Sequence, residues 1–249
     1  MFTYYQIPIS RNKTFVVFDD TITRLQQSFS FSPKPRKNVV NLAGVACGGK
    51  SQVALEFCHR ARISEQFGAI FFIKGSSTTS IEKGFRVIAD KFNIPKTDPP
   101  EARLKTVKAI LSAWPTPWLL VFDNYNHEDL ARLEPYMPDG PQASFLVTRK
   151  AEIMKPRELE TTVYLPELRL QDAVDLLLTR SAVAQSDENY EQGVRLAMAL
   201  EKIPRAIMQA GTYIKKHKIT IAAYLRMFQD GDSRTAASLL YDIRKRMPS

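Results

Sequence analysis

The chain has 249 residues, and its 35 Lys and Arg against 26 Asp and Glu give a formal net charge of +9 at pH 7. Hydrophobic residues make up 44% of the chain and charged residues 24%, which excludes a disordered chain, a collagen and a disulfide-rich scaffold. No apolar stretch approaches the ~20 residues of a membrane-spanning helix, so we expect no membrane association.

Short apolar runs alternate with amphipathic segments through the first two thirds of the chain. The predicted strands are residues 39–43, 68–73, 118–122, 144–148 and 162–165. One helix is predicted over 51–62, a second has Ser80 as its predicted cap, and a third carries Leu104 to Trp114. Strands separated by helices imply parallel pairing through right-handed crossovers. We therefore predict an α/β fold with a doubly wound, mostly parallel sheet.

Helical patterns replace this alternation beyond about residue 169. The predicted helices there are residues 170–180, 187–201, 204–216 and 221–228. Pro204 fits the first position of its helix, where its missing N–H group is not needed. The sequence therefore divides into an N-terminal segment over 1–38, an α/β domain over 39–168, a small all-helical domain over 169–230 and a basic tail over 231–249.

The strongest chemical signal is the sequence GVACGGKS at residues 44–51, which matches the pattern G-x-x-x-x-G-K-[ST]. The segment follows a predicted strand and opens a predicted helix, the context in which this pattern forms a phosphate loop. Backbone N–H groups would surround the phosphates, while Lys50 would contact the β- and γ-phosphates and Ser51 would hold Mg²⁺. The candidate nucleotide-binding residues here are Gly44, Gly48, Gly49, Lys50, Ser51 and Gln52.

Asp123 ends the apolar run 118–122, where a P-loop protein places the carboxylate that holds Mg²⁺. The alternative is a strand-end aspartate that starts a turn. Asn124 follows where many hydrolysing relatives keep a second acid, and an amide cannot accept a proton from the attacking water. Glu128 and Asp129 are predicted to cap a following helix. We therefore expect at most a slow ATPase and assign no certain catalytic residue.

Arg149 ends the predicted strand 144–148, at the edge where ligands bind in parallel sheets. A guanidinium group matches phosphate oxygens in a two-pronged fork, so Arg149 is a candidate sensor of the γ-phosphate. The alternative is an arginine that pairs with a surface carboxylate.

The ordered set of motifs resembles the NB-ARC and NACHT-type nucleotide-binding modules of STAND ATPases, particularly those of fungal NOD-like receptor proteins. Besides the phosphate loop, the resemblance rests on RNKTFVVF at 11–18, LLVFDN at 119–124, Thr148-Arg149, and KIPRAIMQAGTYI at 202–214. The series covers residues 6 to about 228, most of the chain.

This resemblance implies a site for ATP or ADP with Mg²⁺. It places the backbone of Phe15 and Val16 at the adenine and packs Pro204 against the nucleotide. Without the resemblance, Phe15 and Val16 also fit an apolar strand, and Pro204 fits the start of a helix. The chain departs from the family at Lys202 and Arg205, where the family has the glycine and second leucine of its G-L-P-L-A segment. Family members continue into a winged-helix sensor domain, which we do not expect in the remaining ~20 residues.

We therefore predict a cytoplasmic nucleotide-switch module of a signalling protein, with weak or absent hydrolysis and no winged-helix sensor. A protein partner or self-association is expected. The alternatives are a P-loop kinase or ATPase with true turnover and a basic nucleic-acid-binding ATPase. Nucleic acid is not expected as a partner, because aromatic residues do not interleave with the basic clusters along the chain. These clusters are residues 34–37, 60–62, 215–218 and 244–246.

Overall fold

The computed structural model describes residues 4–8, 18–30, 37–151, 154, 161–232, 234–237 and 240–241. In this part of the chain there are two compact units. One unit contains the sheet and the helices that cover it, up to Leu165, and the other contains residues 44–49 together with the helical region that begins at Pro166. Among the described helices, none combines the length and apolarity that crossing a bilayer requires.

A six-stranded sheet forms the centre of the first unit. Its strands are β1 (Tyr4–Gln6), β2 (Asn38–Gly44), β3 (Ala69–Lys74), β4 (Trp118–Tyr125), β5 (Ala143–Lys150) and β6 (Thr161–Tyr164). Their spatial order is β1-β3-β4-β5-β2-β6, and β3 pairs in parallel with β1 and β4, β4 with β5, and β2 with β6. This non-sequential order of parallel strands requires crossovers, which confirms the predicted doubly wound α/β fold.

Four helices belong to this unit. They are α1 (Asp19–Ser28), α2 (Lys50–Ile63), α3 (Thr78–Lys91) and α4 (Pro100–Ser112). Helix α2 packs against β4 and β5, and the side chains from Trp118 to Phe122 are fully buried, as expected for a strand covered on both faces. The cap of α3 is Ser77, whose Oγ accepts the Ser80 N–H at 3.2 Å, so the prediction that Ser80 is the cap was wrong. Ser77 has the extended backbone of an N-cap.

The predicted helix after Glu128 and Asp129 does not form. These residues lie in turns that lead to a short 3₁₀ helix at Glu134–Tyr136. Asp129 Oδ1 accepts the Ala131 N–H at 3.0 Å, a local bond that competes with helix formation. Pro135 lacks the N–H group that a longer helix would use. The prediction that both acids cap a helix was therefore wrong.

The second unit contains four helices of the described chain. They are α5 (Leu170–Ser181), α6 (Asp187–Ala199), α7 (Pro204–His217) and α8 (Ile221–Gln229). Pro204 is the first residue of α7, as predicted. Glu201 and Lys202 have φ angles of 55° and 52°, which ends the preceding helix. Glycine adopts such angles without a steric cost, whereas glutamate and lysine rarely do so.

Candidate functional site

The phosphate-loop motif has the predicted strand–loop–helix context. Residues 45–49 connect β2 to α2, and Lys50 and Ser51 are the first residues of α2, where backbone N–H groups lack a partner within the helix. The Gly48 N–H donates to the Val45 carbonyl at 3.2 Å, and a Cβ on Gly48 would lie 3.1 Å from that oxygen. Cys47 and Gly49 have φ angles of 59° and 102°. The loop is therefore a tight turn that returns the chain onto the start of α2.

Asp123 is held in place by a threonine on the neighbouring strand. Thr148 Oγ1 donates to Asp123 Oδ1 at 2.7 Å and accepts the Asn124 N–H, also at 2.7 Å. Asn124 has a φ angle of 62°, and the regular pairing of β4 with β5 is interrupted between Phe122 and Tyr125. Thr148 is 1% exposed, so its hydroxyl bridges both residues without competition from solvent. Sequence reasoning noted Thr148 only as part of a motif and assigned it no role.

The Asp123 carboxylate also lies close to α2. Burial raises the pKa of the Cys58 thiol on α2, and the negative charge of Asp123 raises that pKa further. The helix that begins with Lys50 and Ser51 therefore packs beside the strand that carries Asp123. A hydroxyl and a carboxylate are hard oxygen donors of the kind Mg²⁺ prefers, and Mg²⁺ needs only one or two of them when phosphates and water complete its shell. These residues fit a magnesium–nucleotide site.

Arg149 is buried and bound to the main chain. Its side chain is 1% exposed, and Nη2 donates to the carbonyl of His127 at 2.8 Å and to that of Glu128. Nη1 lies 3.4 Å from Asn41 Oδ1 on β2, and the guanidinium carbon is 5.7 Å from the Tyr125 ring centre. The described acceptors are two main-chain carbonyl groups and a side-chain amide oxygen, and the alternative of a pair with a carboxylate stays a prediction. The role of Arg149 as a γ-phosphate sensor stays a prediction.

The other predicted site residues are placed as follows. Phe15 and Val16 lie outside the described residues, so their proximity to adenine stays a prediction. Gln52 is in the first turn of α2 and is half-buried. Pro204 begins α7 with Ile203 as the residue before the helix.

Comparison with known proteins finds a relative with a similar sequence. No protein-family model matches the chain. A nucleotide-binding leucine-rich repeat (NLR)-like protein of Hyaloscypha variabilis is 24% identical over 244 residues, which cover 91% of this chain and 25% of the relative. The chain therefore spans about a quarter of that relative's length.

Solved structures share the fold at low sequence identity. A Walker-type ATPase of Pyrococcus abyssi matches with a TM-score of 0.56 and 14% identity over 97% of this chain and 79% of its own. The ORC2 protein of Aeropyrum pernix matches with a TM-score of 0.51 and 12% identity, over 98% of this chain and 71% of its own. A STAND protein with a tetratricopeptide-repeat sensor from Pyrococcus horikoshii matches with a TM-score of 0.50 and 12% identity, over 81% of this chain and 30% of its own.

The chain has the fold of the Walker-type ATPase, with a G-x-x-x-x-G-K-[ST] motif in the loop between β2 and α2. The NLR-like relative and the STAND structure confirm the more particular resemblance, which is to the nucleotide-binding modules of STAND proteins.

Proposed function

We propose that this chain is the nucleotide-switch module of a STAND-type signalling protein and binds ADP or ATP with Mg²⁺. The observation that carries the proposal is the tight loop that opens α2 at Lys50, with Asp123 held by Thr148 on a strand that packs against the same helix. The ORC2 structure, which shares the fold, is of complexes with ADPNP and ADP.

Each residue of the proposed site has a distinct task. The N–H groups of the loop and the Lys50 ammonium offset the negative charge of the phosphates. Ser51 and Asp123 hold Mg²⁺, which would neutralise charge on the phosphate oxygens when bound. Phe15 and Val16 are proposed to contact adenine and Pro204 to pack against the nucleotide, on the strength of the family resemblance alone.

Weak hydrolysis is proposed because the residue that follows Asp123 is an asparagine. Asn124 carries an amide, and Asp129 accepts a hydrogen bond from its own turn. Exchange of ADP for ATP would then act through contacts to the γ-phosphate, which exist in only one of the two states. A kinase or a rapid ATPase, the competing function, would need a proton acceptor at this place.

The partners and compartment are also proposals. STAND-type switching implies a protein partner or self-association that distinguishes the two nucleotide states. We propose the cytoplasm as the compartment, because Cys47 and Cys58 are both free thiols and a reducing compartment keeps them so.

Nucleotide release tests the function. The protein is purified without added nucleotide and denatured, and the released nucleotide is identified by ion-exchange chromatography. We expect retained ADP and a steady-state turnover no faster than about 0.01 s⁻¹, the range of switch GTPases. Turnover near ~10 s⁻¹ would favour the enzyme instead. If the protein neither retains nucleotide nor binds added nucleotide, both the switch function and the enzyme function are overturned.

Thr148 provides a sharper test of the magnesium site. In Thr148→Val the hydroxyl that orients Asp123 is lost at nearly constant volume, whereas Thr148→Ser keeps it. Because removal of a residue that orients a metal ligand typically costs 10- to 100-fold in metal affinity, we expect Thr148→Val to need about tenfold more Mg²⁺ for tight ADP binding. The measurement is titration of a fluorescent ADP analogue at a series of MgCl₂ concentrations.

Thr148→Ser is the matched control and should follow the unchanged protein. Binding of the analogue in EDTA should be the same in all three proteins. If Thr148→Val weakens binding equally with and without Mg²⁺, the hydroxyl supports the fold and does not position the metal ligand.

A further inference from the structure

A basic groove lies along α7 in the helical unit, and one of its lining residues, Arg205, also reaches the phosphate loop, with Nη1 3.9 Å from Cys47 Sγ. We call it the α7 groove. It encloses a volume of about 480 Å³, and five of its lining side chains are Arg180, Arg205, Lys216, His217 and Arg234. No acidic side chain is among the described residues that line it. Four of the five are arginine or lysine, so the groove has a local excess of positive charge.

The fold brings one of these cations to the groove through a close helix contact. Helices α5 and α7 meet at Gly211, where a Cβ would lie only 2.7 Å from Cβ of Arg180. Arg180 Nε donates to Thr212 Oγ1 on α7 at 3.2 Å. The guanidinium group of Arg180 is therefore fixed on the same face of α7 as Thr212.

Two further cations lie along one face of α7. Arg205 and Lys216 are 11 residues apart, which corresponds to about three helical turns and about 16 Å along the axis. Both side chains are exposed. Arg205 and Lys216 can therefore contact different phosphate groups of one extended chain at the same time.

The turn after α8 contributes Arg234 to the groove lining. Arg234 pairs with Asp232 at 2.5 Å, and the Asp232 carboxylate is itself absent from the groove lining. The buried Tyr224 hydroxyl accepts the Ala236 N–H at 2.9 Å, and Gln209 Nε2 on α7 donates to the Thr235 carbonyl at 3.5 Å. These bonds hold the turn against α7 and α8, so the position of Arg234 is defined by the fold.

A flat aromatic surface lies among these cations. The rings of Tyr213 and His217 stack with centroids 4.1 Å apart and an angle of 30° between their planes. His217 is exposed. A positively charged groove with an aromatic ring on which a base can stack is the combination that binds single-stranded nucleic acid. An acidic peptide has no planar base to use the ring, and a compact polyphosphate needs only the cations.

We propose that the α7 groove binds the phosphate backbone of single-stranded nucleic acid, with one base stacked on His217. Along the sequence the basic clusters do not interleave with aromatic residues, and on that ground nucleic acid was not expected as a partner. In the structure, three separate segments place their cations around the Tyr213–His217 pair. The net charge of +9 also favours the approach of a polyanion.

Fluorescence anisotropy with a labelled oligothymidine of about 12 nucleotides tests the proposal. Saturating ADP and Mg²⁺ are included so that the phosphate-loop site does not take up the probe. The key variant combines Arg180→Gln with Lys216→Gln, and glutamine keeps the Cβ and Cγ of Arg180 that pack on Gly211. For single-stranded nucleic acid, the logarithm of the affinity falls linearly with the logarithm of the salt concentration. Each phosphate contact contributes about 0.7 to the slope of that line. Loss of two contacts should therefore weaken binding about 10- to 30-fold near 0.1 M salt and reduce the slope by about 1.4.

The matched control combines Arg195→Gln with Arg226→Gln, which removes the same charge from two exposed positions of the helical unit outside the groove. This control should retain most of the affinity. Thermal denaturation of all variants without probe checks that each is folded. His217→Ala should weaken oligonucleotide binding by about tenfold, the loss expected for one stacked base.

Three results would overturn the proposal. The first is the absence of oligonucleotide binding at about 0.15 M salt. The second is an equal loss of affinity in the groove variant and in the control. The third is displacement of the oligonucleotide by inorganic tripolyphosphate at equal phosphate concentration, which would indicate a site for compact anions without a contribution from stacking.

Discussion

Lys50→Ala should abolish the stabilisation of the protein by ADP and Mg²⁺. A ligand that binds only the folded state at 100 times its Kd stabilises it by about 2.7 kcal/mol. For a chain of this size that corresponds to a rise in Tm of roughly 5–10 °C, because each kcal/mol is worth about 2–4 °C. Without the Lys50 ammonium the phosphates lose a principal cationic partner, so this rise should disappear. The measurement is thermal denaturation with and without ADP and MgCl₂.

The effect should be confined to the ligand-bound protein. Lys50 lies in the first turn of α2, where alanine is a good helix former and where a cation is disfavoured by the helix dipole. The Tm without nucleotide should therefore change little. Lys105→Ala on the exposed face of α4 is the matched control and should keep the full ADP-dependent rise. An equal rise in Lys50→Ala would mean that the loop does not bind the phosphates.

Local patterns explain what the sequence could predict. The phosphate loop is a contiguous motif, and the strand before it and the helix after it are encoded by the neighbouring residues. The strand that carries Asp123 is apolar from Trp118 to Phe122, where it is buried on both faces, so the sequence predicted it as a strand. The start of α7 was equally clear, because Pro204 marks a first helical position by its own covalent structure.

The structural features that the sequence did not predict depend on residues distant in the sequence or on segments too short to show a periodic pattern. Strand β1 has three residues and is defined by its pairing with β3 rather than by any periodicity. Helix α1 buries only Thr21, Ile22 and Leu25, which is less than a full apolar stripe. Two acceptors of Arg149 are backbone carbonyls, and every residue type has one. The α7 groove combines three segments, so no local window contains it.

Arg149→Leu should destabilise the protein by about 3–5 kcal/mol even without nucleotide. Each charge-assisted hydrogen bond from the guanidinium contributes about 1.5–3 kcal/mol, and leucine would leave the part-buried carbonyls of His127 and Glu128 without these donors. The loss of stacking against Tyr125 adds to the cost. Urea unfolding of the nucleotide-free protein measures the free energy of unfolding.

Two companion variants separate this structural role from phosphate sensing. Arg149→Lys keeps a positive charge but cannot reproduce the planar fork, so it should recover only part of the stability. Arg132→Leu removes an exposed arginine from the turns that follow β4 and should change the free energy of unfolding by less than about 0.5 kcal/mol. If Arg149→Leu leaves nucleotide-free stability unchanged but removes a preference between ATP and ADP, its main partner is the γ-phosphate. If stability falls as expected, Arg149 stabilises the turns that follow Asp123 through the carbonyls of His127 and Glu128.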